Sequence, residues 1–260
     1  MSVNYTEWFL QLVNTRTKKP IDDDTGLANI LTAGDPTEVT IYSDDKGTSA
    51  SNPITMTNGI IRFFTASSVT SCDISVLTAA GQAFFLETVT QSQGRIDVNV
   101  DNPKYTLILP YQMASGCDTI VDTGFDLIAG MKVKSVYLHS TTASTANGLV
   151  IGVSGTTAGF LSTVSTTATG FKIHMSPITT NATGSAYYVS TSQIRGTLLC
   201  DWTYGLSTAT VGGAKGFWVN KDYLVTAATS VIYLVVATNS GGTGEGYIYV
   251  EYELCPTAGN

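Results

Sequence analysis

Two histidines, His139 and His174, are the only imidazoles in the 260-residue chain, so any Ser/His/Asp hydrolase must use one of them. Each lies in a strand-like stretch, "VYLHS" and "FKIHM". No GxSxG nucleophile elbow accompanies them, and "GVSGT" has the wrong glycine spacing. Both read as ordinary strand histidines. The acidic run "IDDDTG" (Ile21–Gly26) contains the D-x-D-x-G opening of a calcium loop. An EF-hand needs Glu at the twelfth position from Asp22, and that position is Ala33. "SDDKG" (Ser43–Gly47) reads as a turn. No spacing singles out a carboxylate pair of the kind a glycosidase uses. Trp8, Trp202 and Trp218 invite a sugar-platform reading, but each sits in a strand pattern where aromatics fill cores and interfaces. The expectation is no enzyme: no catalytic residue, no metal ligand and no cofactor-binding residue.

Cys72, Cys117, Cys200 and Cys255 are far apart, and no CxxC pair suggests zinc. The opening "MSVNYTEWFLQL" lacks the basic n-region of a secretory signal, so synthesis in a reducing cytosol and unpaired thiols are expected. No apolar run approaches the roughly 18 residues of a membrane span. Net charge is −7, and the one short basic run is Arg16–Lys19, which argues against nucleic acid as a partner.

The elements that would position any such residues are strands. Charged residues make up 13% of the chain, against about 25% in ordinary soluble domains. Thr, Ser, Gly and Asn take their place, which favours strands and turns and leaves a polar surface that is cheap to desolvate. Alternating or strand-rich stretches include "TEWFLQLVN" (Thr6–Asn14), "EVTIYSD" (Glu38–Asp44), "NGIIRFFTA" (Asn58–Ala66) and "KVKSVYLHS" (Lys132–Ser140). In "GYIYVEYEL" (Gly246–Leu254), Tyr247, Tyr249, Glu251 and Glu253 form the wetter face. Ile248, Val250, Tyr252 and Leu254 form the core face. "GTTAGFLSTVSTTATG" (Gly155–Gly170) is low in complexity and reads as a loop. The polar stretch "TQSQGRIDVNVDNPKY" (Thr90–Tyr105) reads as a connector holding one short strand.

The expected fold is all-β, with two β-sandwich domains: an N-terminal Ig-like domain over residues 1–92, a connector over 93–104 and a C-terminal jelly-roll-like domain over 105–260.

Two sets of motifs carry a resemblance. The first is the segment from "VTIYSDDKG" through "NP" and "NGIIRF" to "DISV" in the N-terminal half. The second comprises "DTGFDLIAGMKVKSVYLHSTT", "IRGTLLCDW" and "ATSVIYLVVATNSGGTGEGYIYVEYEL". Together they resemble the β domains of structural proteins in tailed bacteriophages. The resemblance covers most of the chain beyond the first ~35 residues. It implies a virion component made in the bacterial host cytoplasm: a capsid decoration protein on the outer surface of the head, with the major capsid protein or other virion proteins as partners. The alternative it implies is a head- or tail-associated knob or fibre binding a host receptor or glycan. It carries over no catalytic residue. A homo-oligomer is expected, a trimer first, because repeated structural parts assemble symmetrically.

Overall fold

The structure is a computed structural model, and it describes residues 4–100, 104–113, 120–144, 147–172, 178–180, 187–189, 196–204, 216–237 and 244–255. It is all-β in several mainly antiparallel sheets; one 3-10 turn, Gln91–Gln93, interrupts the strands among the described residues. The strands of the first half are β1 (Tyr5–Asn14), β2 (Leu27–Thr32), β3 (Ile54–Thr55), β4 (Ile60–Ala66), β5 (Ser71–Leu77), β6 (Ala83–Thr90), β7 (Arg95–Val98) and β8 (Lys104–Gln112). Then follow β9 (Ile120–Leu127), β10 (Met131–Thr142), β11 (Asn147–Val153), β12 (Thr156–Ser165), β13 (Gly170–Lys172) and β14 (Ile178–Thr180). The last are β15 (Tyr187–Val189), β16 (Cys200–Tyr204), β17 (Gly216–Asn220), β18 (Tyr223–Leu224), β19 (Thr229–Ala237) and β20 (Glu245–Leu254).

Internal contacts divide the chain into two units, Met1–Gln112 with Glu245–Asn260, and Met113–Gly244. In the first unit a sheet of order β4-β1-β7 faces one of order β3-β2-β5-β6 across an apolar core. Alternation explains which side chains meet there: Trp8, Leu10 and Leu12 of β1 point in, with Ile61 and Phe63 of β4 and Ala28, Ile30, Ile74 and Val76 from the opposite sheet. Trp8 stacks on Phe63 at 5.5 Å between ring centres, and its indole N–H reaches the Thr65 hydroxyl at 2.9 Å. Such a ring fits a core only where its polar edge finds an acceptor.

The hairpin before β4 turns on Asn58 and Gly59, both at positive φ, as a two-residue hairpin loop demands. Residues 93–104 hold β7, which runs parallel to β1 from Gln11↔Arg95 to Asn14↔Val98. β8 and β20 pair antiparallel along their whole length, Glu245↔Gln112 to Glu253↔Lys104.

Two stretches differ from the sequence reading. Glu38–Asp44 is no regular strand: the Val39 amide bonds to Ile30 of β2, while Tyr42 exchanges both amide bonds with Phe64 of β4. The segment crosses from one sheet to the other, so its alternation buries Val39 and Ile41 without a continuous ladder. Thr156–Ser165 is not a loop but the strand β12, paired with β11 through two register shifts. Its Phe160, Leu161 and Val164 are buried, and so few apolar residues among Thr and Gly hid the strand.

In the second unit, β12-β11-β19-β9 form one sheet, and β10 pairs with β13 and β18. β14 pairs with β15 and β16 with β17. Phe125, Leu127, Leu149, Ile151, Phe160 and Val231 are fully buried. Gly152 is required where β11 meets β12, since a Cβ there would lie 2.0 Å from the Thr156 carbonyl oxygen.

Candidate functional site

The acidic residues singled out in the sequence are committed to backbone donors. Asp23 is buried; its Oδ1 accepts the amides of Thr25 and Gly26, and its Oδ2 accepts that of Ala79 at 2.8 Å. Asp24 accepts the Asn58 amide at 2.7 Å. Carboxylate oxygens aimed at N–H groups tie this stretch to the β4 and β6 hairpins and do not converge on one point. Among the described residues, no three of His, Cys, Asp and Glu stand close enough to hold a metal. Asp44 accepts the Thr48 amide and hydroxyl and the Lys46 amide, and these bonds hold its carboxyl below the usual range. "SDDKG" is thus a turn fixed by its own aspartate.

His139 lies on β10 with its ring stacked on Phe171 of β13 at 4.2 Å and 12°. His174 lies outside the described residues. Trp8 is a core residue. Trp202 and Trp218 are backbone register partners in the β16–β17 pairing. Cys72 is buried and unpaired, its thiol pushed up to about 12 by burial and by the neighbouring Asp73 charge, so it stays protonated and is a poor nucleophile. Cys255 is unpaired as well. Cys117 lies outside the described residues.

Large apolar side chains exposed on strands are the feature that sequence reasoning missed. Phe9 of β1 is 48% exposed and lies opposite Arg62 of β4. Arg62 donates to Glu7 at 2.6 Å and sits 5.9 Å over the Phe64 ring. Further along β1, where Asp97 lies opposite Val13, Arg95 and Lys18 both reach Asp97, at 2.9 and 3.2 Å, and these two bonds hold the Asp97 carboxyl low. The Arg62 and Glu7 charges beside Phe9 therefore satisfy one another. An open groove of about 300 Å³ on this unit is lined by the hydroxyl-bearing Thr6, Ser67, Thr70 and Thr90 together with Gln91.

In the second unit, Phe171 is 57% and Leu224 51% exposed, both beside β10. Tyr137 tilts against Phe171 at 6.2 Å. Lys132 and Lys134 of β10 converge on one oxygen of Asp222, at 2.9 and 2.8 Å, and lower its pKa. Alternation in "KVKSVYLHS" places Tyr137 and His139 on one face, but the pairing with Phe171 has no local signal.

No family model, curated protein or solved structure matches the chain.

Proposed function

We propose that the chain is a non-enzymatic structural component of a phage virion, a decoration protein bound to the outer surface of the head. The observation that carries this reading is the exposure of Phe9, Phe171 and Leu224 on a charge-poor chain whose neighbouring charges are already paired. Aromatic and Arg side chains with few unpaired charges are the composition of protein interfaces. In this reading residues 1–92 form an Ig-like and residues 105–260 a jelly-roll-like sandwich, and the assembled protein is a homo-oligomer, a trimer first, whose repetition adds avidity. Its contacts are mostly uncharged, so attachment survives about 1 M salt, where screening shrinks exposed ion pairs to ~3 Å. The test is to add purified protein to particles lacking it, raise the salt and sediment. Co-sedimentation that persists supports the proposal; failure to bind particles overturns it.

The Phe171 ring, held flat on His139, favours the second reading, a knob or fibre that stacks a sugar ring of a host glycan. Binding to host cells or a glycan array, with none to heads, selects it.

A further inference from the structure

Asn29 of β2 is fully buried, and its side chain makes half of a possible pairing. Its Nδ2 donates to Oε1 of Glu38 at 3.0 Å, while its Oδ1 has no hydrogen-bond partner. An unpaired buried acceptor forfeits a bond it had in water. The local backbone is fixed: Val39 donates to Ile30, Thr32 donates to Thr37, and Asn52 clamps both sides by bonding the Ile30 amide and the Ile30 and Val39 carbonyls. The orphan oxygen thus belongs to the same amide group whose nitrogen already bonds the Glu38 carboxyl.

We infer that Glu38 and Asn29 form a proton latch: protonated, the Glu38 carboxyl donates its O–H to Asn29 Oδ1 and closes a ring of two hydrogen bonds; ionised, it keeps only the bond from Nδ2. The proton comes from solvent. The titratable groups of the neighbouring elements are Asp35 in the turn after β2, Asp73 of β5, which pairs with Leu31 in register, and Tyr247 of β20, which feels both aspartates. All are acidic or neutral, and among the described residues Glu38 makes no ion pair. The negative charge on Glu38 is favoured only by the Asn29 amide and by solvent at the exposed side of its carboxyl. Burial raises its pKa, and the bond from Asn29 only partly opposes this. The folded state thus keeps the proton to a higher pH than the unfolded chain. The latch's contribution is complete below the unfolded value and fades as pH rises through the folded one.

Carboxyl NMR of the unaltered full chain provides one test. Glu38 should titrate above the ordinary value of about 4.3, and the Asn29 side-chain amide should move with the same midpoint. The second test is Glu38→Gln, whose amide N–H can close the ring at any pH. Its melting temperature should exceed that of the parent at pH 7 by roughly 2–4 °C, the effect of about one net hydrogen bond in a chain of this size, and match it at pH 4. The latch is refuted if Glu38 titrates at or below the ordinary value, or if the Asn29 amide does not follow it. A Gln variant with no gain at pH 7, or the same gain at both pH values, refutes it too. Should that variant not fold, the titration decides alone.

Discussion

Tyr252 donates its hydroxyl to the carbonyl of Gly81 at 2.6 Å, joining the last strand to the turn between β5 and β6 across 171 positions of sequence. Burial, with a smaller push from Tyr105, raises the phenol far above its ordinary range, so it remains a donor at all working pH values. Removing it with Tyr252→Phe leaves the Gly81 oxygen unpaired and should cost about 1–3 kcal/mol. Urea unfolding of the full chain followed by tryptophan emission measures this, and an unchanged midpoint refutes the role.

Trp8→Ala should be severe, about 3–5 kcal/mol, because it empties the centre of the sandwich and strands the Thr65 hydroxyl. Thr65→Val removes only the acceptor and should cost less, about 1–3 kcal/mol. Denaturant midpoints for the two variants should fall in that order.

Gly59→Ala tests the β4 hairpin. Gly59 has φ +67°, and a Cβ there would stand 2.2 Å from the Ile21 carbonyl oxygen. The loss should exceed the roughly 1 kcal/mol that conformational preference alone imposes, since backbone must also move. A melting temperature equal to the parent's would show that the turn relaxes freely.

Asp222 and its two lysines give a pH dependence opposite in sign to that of Glu38. Bonds from Lys134 and then Lys132 depress the Asp222 carboxyl, so the unfolded chain takes up its proton first as pH falls. The stabilisation is present above the unfolded value, near 3.8, and is lost as pH drops through the folded one. Asp222→Asn should therefore lower stability at pH 7 by at most about 1 kcal/mol and by nothing at pH 2. Thermal melts at the two pH values, repeated in high salt, check both the sign and the screening.

Phe9→Ser and Phe171→Ser address attachment. Both rings are largely exposed, so stability should change by no more than about 0.5 kcal/mol. Phe9→Ser should weaken sedimentation with heads. If Phe171→Ser instead abolishes glycan binding and spares the heads, the knob reading gains.

Much of the strand inventory is legible in the sequence, because alternation and turn residues are local. Thr6–Asn14 and Asn58–Ala66 are found within a residue or two as β1 and β4. Partners are not legible. Nothing in "RIDV" announces a parallel ladder with β1, and nothing in Glu38–Asp44 separates a strand from a segment that changes sheets. Face assignment at β20 is half right: Ile248, Val250 and Tyr252 are buried as alternation requires, but Tyr247 is buried too, against Phe85 at 6.1 Å. A face reads as wet only until another element covers it. The acids were legible as candidates but not in role, since only the fold shows that Asp23 accepts from Ala79 and Asp44 from Thr48.

The pairing of β8 with β20 also sets the timetable of synthesis. Everything from Met113 to Gly244 leaves the ribosome between these two strands, so the first unit waits, incomplete, until β20 has been made. Through that interval β8 presents unmatched amides and carbonyls along the edge that β20 will occupy, a template for mispairing with a neighbouring nascent chain. A stop codon anywhere within that span would thus release not a smaller, self-contained protein but one with an open seam.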